Sequence, residues 1–201
     1  MEDKRIRKTR QNIQQALVRL LAKRPFEQIT ITELCAEAST SRVTFYTHYS
    51  DKYEVAEEVF AGMTRLVTEE YRALQQKNNP QRAPVASYCN LLDCILNLYD
   101  AHSELFASAT PEKSPYLYFS LYKYLVRQVS EYVQKERAGA RLRYPVSHIT
   151  AFLCNGLWSY INQCHADHCP PAKIRSSAKA LLKDLLQSGV FSQPAGQEPQ
   201  A

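Results

Sequence analysis

The chain has 201 residues, 45% of them apolar and only 5 of them Gly, which is enough to bury a sizeable core and leans toward helices. It holds no run of about 18 apolar residues, and seven of its first ten residues are charged, so neither a membrane-spanning helix nor a secretory leader is expected. The net charge of +5 is concentrated: residues 1–52 carry 10 Lys/Arg against 6 Asp/Glu, whereas residues 53–201 carry 15 against 14, so a polyanionic partner suits the first quarter of the chain.

A first helix is predicted from about Lys8 to Lys23, where Ile13, Ala16, Leu17, Leu20 and Leu21 recur at the spacing of one buried face. Pro25 ends it. Thr30-Ile31-Thr32-Glu33 reads as a capping box that opens a second helix, with Leu34, Cys35 and Ala38 facing inward. Ser39-Thr40-Ser41 breaks that helix after about two turns. A third short helix follows from Arg42 to His48, capped by Thr40 or Ser41. Ser50-Asp51 caps a fourth helix that runs to about Gln76. The polar, Pro-marked stretch 77–84 is the best internal connection. Further helices are predicted near 85–100, 101–109, 115–137, 145–166 and 172–188, separated by Pro111 to Pro115 and by Pro170-Pro171. The tail from Ser192, rich in Gln, Pro and Ala, is expected to be disordered. The expected fold is therefore all-α, with about nine helices: a three-helix domain over 1–52 and a helical bundle over 53–191, followed by the tail 192–201.

Two short helices joined by about three residues, with a long helix on either side, form the helix-turn-helix pattern. Such a reading helix must show small or polar side chains on one face and wedging bulk on the other. Arg42-Val43-Thr44-Phe45-Tyr46-Thr47-His48-Tyr49 meets both needs. Arg42, Thr44, Tyr46, Thr47 and His48 face outward, Phe45 and Tyr49 form the inward stripe, and Lys52 stands where a phosphate contact is expected.

Phe26-Glu27-Gln28-Ile29-Thr30, Ile31 to Ala38, Ser41-Arg42-Val43-Thr44-Phe45-Tyr46-Thr47-His48-Tyr49 and Ser50-Asp51-Lys52 together resemble the DNA-binding domain of the TetR/AcrR family of bacterial repressors. The Thr-Phe-Tyr-x-His-Tyr run followed by Lys is far more specific than a generic helix-turn-helix. One residue departs from the pattern: the turn after Ala38 usually carries Gly, and here it is Ser39. The resemblance implies that Arg42, Val43 and Thr44 approach bases or neighbouring phosphates. It implies phosphate contacts for Tyr46, His48 and Lys52, and for Thr30 or Thr32 at the start of the second helix. With Ser41 and Thr47, these ten residues make up the expected DNA-binding set. The basic residues Lys4, Arg5, Arg7, Lys8 and Arg10 are expected to form an arm that tracks the backbone or enters the minor groove.

For the remaining chain the resemblance implies a dimer built on the last two helices. Phe152, Leu153, Gly156 and Tyr160 are its candidates on one helix, and Ala178, Leu181, Leu182 and Leu185 on the other. A two-fold dimer implies a palindromic double-stranded operator. Aromatics crowd the 115–137 segment, and Tyr88, Leu92, Ile95, Tyr99, Tyr118, Tyr122, Phe152 and Trp158 are the candidate wall of a pocket for a small apolar or aromatic effector.

The six cysteines fall mostly within helical apolar patterns, and reduced thiols in a cytosolic protein are expected. Cys164, His165, His168 and Cys169 lie within six residues, but their spacing matches no common zinc motif and adjacent residues diverge on a helix, so a helix end is the expected reading. Gly-rich phosphate loops, His-Glu-x-x-His, Gly-x-Ser-x-Gly and paired Glu-x-x-His signatures are missing from the sequence, so no enzyme and no cofactor is expected. The expected function is a dimeric repressor released from its operator by a small molecule. The alternative is a coactivator or regulator governed by a protein partner.

Overall fold

The computed structural model describes residues 4–136 and 143–191. The expected disordered tail, 192–201, lies outside the described residues. Among those described, nine α-helices and one 3-10 turn form the regular structure, with no strand. They are α1 (Lys4–Leu21), the 3-10 turn (Phe26–Gln28), α2 (Ile31–Glu37), α3 (Arg42–His48), α4 (Lys52–Asn78), α5 (Pro84–Ala101), α6 (Ser103–Ser108), α7 (Pro115–Glu136), α8 (Val146–Ala166) and α9 (Pro171–Gln187). The all-α expectation holds. The main difference lies at the start: α1 opens at Lys4, so the basic residues expected as an arm form its first turns.

The chain divides into two compact units, residues 1–66 with 98–124 and residues 67–97 with 125–201. In the first unit, α1 buries Ile13, Ala16, Leu17, Leu20 and Leu21. Phe26, Ile29, Leu34, Phe45, Tyr49, Val55 and Leu105 join them as fully buried side chains. This core reaches past the expected boundary at residue 52, because the first turns of α4 and all of α6 pack into it. Ser108 Oγ donates to the Leu21 carbonyl at 2.7 Å, tying α6 to the end of α1.

In the second unit, Tyr71, Leu91 and Cys94 form a core cluster flanked by Val67, Leu74, Ile95, Val129 and Tyr132. A buried polar knot closes the turn between α4 and α5. Gln75 Nε2 donates to Ser87 Oγ at 2.7 Å, and Asn90 Nδ2 donates to Gln75 Oε1 at 2.6 Å. Asn79 Nδ2 donates to Gln75 Oε1 and Ser87 Oγ, while its Oδ1 accepts from the Ala83 N–H. Buried amides are tolerated when paired in this way. Asp93 of α5 takes Lys179 Nζ at 2.6 Å and Arg175 Nη1 at 3.3 Å, fixing α9 to α5.

The segment Cys164 to Cys169 ends α8 by backbone geometry. The Cys169 N–H donates to the Cys164 carbonyl and the His168 N–H to the His165 carbonyl, with His168 at φ +55°. These are the two bonds of a Schellman cap, and Pro170-Pro171 then starts α9.

Candidate functional site

Local chemistry shapes the reading head. Thr30 Oγ1 accepts from the Glu33 N–H at 3.2 Å and Glu33 Oε2 accepts from the Thr30 N–H at 2.9 Å, a complete capping box at the start of α2. At its other end the Thr40 N–H donates to the Cys35 carbonyl and the Ser39 N–H to the Ala36 carbonyl. This is again a Schellman cap, and it places Ser39 at φ +51°. That is the position where the resemblance led one to expect Gly. A residue with a Cβ there costs roughly 1–2 kcal/mol. Ser41 Oγ then accepts from the Thr44 N–H at 3.0 Å and caps α3.

α3 is wedged from below by Phe45, fully buried, and by Tyr49 at its C-terminal end. The Tyr49 hydroxyl donates to Glu58 Oε2 of α4 and accepts from Gln14 Nε2 of α1 at 3.1 Å. Arg10 Nη2 donates to the same Glu58 oxygen at 2.9 Å, and its guanidinium lies 5.2 Å from the Tyr49 ring centroid. Burial and the Glu58 carboxylate push the Tyr49 phenol up to about 12. Burial pushes the Glu58 carboxyl up, but the hydrogen bonds from Arg10 and Tyr49 outweigh it, and the group ends below the ordinary carboxylate value. Arg10, expected in the arm, is thus a scaffold residue. Sequence reasoning missed Glu58 and Gln14; charged or amide residues beside the apolar stripes of α1 and α4 were the available signal.

The outer face of α3 is open. Val43 is 80% exposed and Tyr46 50% exposed, large apolar surfaces on a short helix that nothing in its own unit covers. Arg42 and Thr47 are also exposed, while Thr44 and His48 are half-buried. Two hydroxyls of the expected set bond locally: Thr47 donates to the Val43 carbonyl at 3.0 Å, and Thr44 pairs with Ser41 at 2.9 Å. Thr30 is committed to its cap, with Glu33 close by, and Thr32 is exposed. Arg24 pairs with Glu33, and Arg19 with Glu37 at 2.6 Å, which neutralises much of the charge flanking α2.

Lys52, expected as a phosphate contact, is bonded within its own chain. Its ammonium donates to the carbonyls of Phe26 at 2.8 Å, Glu27 at 3.0 Å and Ile29 at 2.8 Å. An ammonium has three hydrogens, so these bonds use them all. The nitrogen also stands 4.7 Å from the centroid of the Phe26 ring. Burial lowers its pKa against the pull of Glu27 and Glu33. The Phe26 carbonyl also accepts the Ile29 N–H that closes the 3-10 turn, and Lys52 ties it to the carbonyls of Glu27 and Ile29.

The same turn is held from α7. Ser114 Oγ accepts from the Phe26 N–H at 2.9 Å, and Glu27 Oε1 accepts from the Tyr116 N–H at 3.2 Å. Tyr116 stacks on Phe26 at 5.2 Å, and Tyr53 meets both edge-on.

The second unit contains an apolar cavity of about 260 Å³. It is lined by Pro84, Val85, Tyr88, Leu91, Leu92 and Ile95 of α5, by Leu125, Val129 and Val133 of α7, and by Leu182 and Leu186 of α9 with Phe191. α8 contributes Ile149, Thr150, Leu153, Cys154, Leu157, Trp158 and Ile161. Four of the expected wall residues are there: Tyr88, Leu92, Ile95 and Trp158. The other four are not. Tyr99 stacks on Phe106 in the first unit at 4.8 Å, and Tyr118 and Tyr122 also belong to that unit. Phe152 points out of α8 and is 60% exposed. An aromatic stripe marks an apolar face without saying which core takes it. Burial pushes the Cys154 thiol up to about 12, so it stays neutral. Thr150 is 1% exposed, and among the described residues its hydroxyl meets no hydrogen-bond partner. A buried hydroxyl left so costs about 1–3 kcal/mol.

The same unit has a more polar cleft of about 530 Å³ along Tyr71, Arg72, Gln75, Asn79 and Arg82. Its buried amides are those of the polar knot, already bonded to one another.

The expected dimer residues divide by exposure. Phe152 and Gly156 are exposed, and Leu153, Tyr160, Leu181 and Leu185 are half-buried. Ala178 and Leu182 are buried within their own chain, so they pack internally. No helix among the described residues is long and apolar enough to cross a membrane.

Residues 13–59 match the family of bacterial regulatory proteins, tetR family. No curated protein matches the chain. Among solved structures, the chain is similar to a TetR-family transcriptional regulator from Syntrophomonas wolfei, with a TM-score of 0.70 at 12% identity over 89% of this chain and 95% of that one. It is also similar to a tetR-family transcription regulator from Shewanella sp. PV-4, with a TM-score of 0.66 at 16% identity over 92% and 99%. A third is Thermus thermophilus FadR, a TetR-family repressor in complex with lauroyl-CoA, with a TM-score of 0.61 at 20% identity over 95% and 100%.

Proposed function

We propose that this chain, which belongs through residues 13–59 to the tetR family of bacterial regulatory proteins, is a dimeric repressor that reads a palindromic operator with α3 and is released by a small molecule. The observation that carries the reading is the outer face of α3. Phe45 and Tyr49 fix the helix from beneath, while Arg42, Val43, Tyr46 and Thr47 are left exposed within the segment 1–52, where 10 Lys/Arg stand against 6 Asp/Glu.

On this reading Arg42, Val43 and Tyr46 enter the major groove, with Thr44, Thr47 and His48 beside them. Apolar groups read thymine methyls and Arg reads guanine or phosphate. Ser41 and Thr30 cap the helices that present this face, and Thr32 stands at the start of α2 beside the backbone. Lys52 is a positioning residue, since a phosphate would have to take a hydrogen from one of three carbonyls. The exposed Phe152 and Gly156 of α8, with Tyr160, Leu181 and Leu185, are the proposed contact with a second copy. A two-fold pair would set the reading helices about 34–36 Å apart, or further on a long operator.

The effector is proposed to occupy the apolar cavity of the second unit. To release the operator it must favour the released form; typical couplings are about 1–3 kcal/mol, or roughly 5–150-fold.

Selection from a random double-stranded DNA pool tests the reading. A palindromic consensus is expected. If no sequence is enriched even at low salt, the DNA-binding reading fails. Enrichment only in the presence of another protein would favour the partner-controlled alternative.

A further inference from the structure

We infer that the cavity selects a small, uncharged, largely apolar molecule carrying one hydroxyl or carbonyl, which it positions through Thr150. The inference rests on the reading of this cavity as the effector site and names the class of molecule the site takes.

Three observations converge. First, no charged side chain lines the cavity among the described residues. A carboxylate or phosphate brought in would lose its water without gaining a cation. The thiol of Cys154 is held neutral by burial and offers no charge either. Second, the volume of about 260 Å³ falls below the roughly 300–1,000 Å³ of sites for drug-sized ligands, so the molecule is small. Third, Thr150 brings a hydroxyl with an unmet need to a wall that also carries the Tyr88 hydroxyl and the Trp158 indole. Its hydroxyl is buried, it can donate and accept, and it has no partner among the described residues. In the middle of an apolar wall one such group fixes orientation and discriminates between ligands. The nucleotide part of an acyl-CoA does not fit this wall, whatever its tail would do.

The test compares octan-1-ol with octanoate at pH 8, by calorimetric titration of the full chain, in wild type and Thr150→Val. The substitution keeps the shape and removes the hydroxyl. In the free protein it is expected to raise the thermal midpoint, because it removes an unsatisfied buried group. Octan-1-ol is expected to bind wild type at least tenfold more tightly than octanoate, and at least threefold more weakly to Thr150→Val. 1-Chlorooctane, which lacks the hydroxyl, is expected to bind both alike. Equal binding of octanoate overturns the inference. So does an unchanged octan-1-ol affinity in Thr150→Val, a lowered midpoint in that variant, or no binding of any of the three probes. Operator affinity measured with and without octan-1-ol reads the parent proposal separately. Thr150-dependent binding that leaves operator affinity within twofold keeps the ligand class and removes the effector role.

Discussion

Ser39 holds the turn of the helix-turn-helix at φ +51°, where glycine is at ease and serine is strained. Replacing it with Gly relieves that strain but also loosens the unfolded chain, so a net gain of about 0.5–1 kcal/mol is expected for Ser39→Gly. Denaturant unfolding checks this, and a loss of stability would mean that the serine side chain contributes something the backbone does not show. Lys52 offers a sharper contrast. With its three hydrogens on the carbonyls of Phe26, Glu27 and Ile29, it braces the turn before α2. Lys52→Met is expected to lower stability by about 1–2 kcal/mol, the range for charge-assisted bonds offset by relief of desolvation. The salt dependence of operator binding should keep its slope. A phosphate contact would instead flatten it by about one. The sequence placed a Lys at the right position but not its partners, because those lie 23 to 26 residues away and are backbone atoms.

At the scale of elements, α2 and α3 were legible because the groups that start and stop them are local. The capping box Thr30 to Glu33, the Ser41 cap and the turn at Ser39 all act within a few residues. The attachment of α3 to its scaffold was not legible. It depends on Tyr49, Glu58, Gln14 and Arg10, which three different helices bring together. Glu58 titrates below the ordinary value of 4.5, so the folded protein binds fewer protons than the unfolded chain as the pH falls past that point. The stabilisation it gives is full above pH 4.5 and is lost as the pH drops through the lower folded value. Glu58→Gln is expected to cost about 1.5–3 kcal/mol at pH 7 and to make acid unfolding less steep, so that the two proteins converge at low pH. Parallel pH titrations of unfolding would settle it; curves that stay apart in acid would remove Glu58 from the network. The tyrosines of α7 carry a similar lesson. Tyr116 serves the reading unit by stacking on Phe26, and further along the same helix Leu125, Val129 and Val133 line the cavity. One helix with a continuous apolar pattern contributes to two cores, and periodicity alone does not say where the change falls.

For the whole molecule, two compact units provide two kinds of surface: an open helix face beside a basic helix, and an apolar cavity. The central claim is that the outer face of α3 carries sequence recognition. Each good base contact is worth about 1–3 kcal/mol of discrimination, so removing several should collapse specificity while leaving sequence-independent attraction largely in place. The face can be stripped without touching Phe45 or Tyr49, by changing Arg42, Val43 and Tyr46 together to Ala. The measurement is the ratio of affinity for the selected operator to affinity for random DNA, at one fixed salt concentration, in wild type and in this triple variant. That ratio is expected to fall at least tenfold while the thermal midpoint stays near that of wild type. A variant that stays folded and keeps the wild-type ratio would contradict it, and would move recognition away from α3.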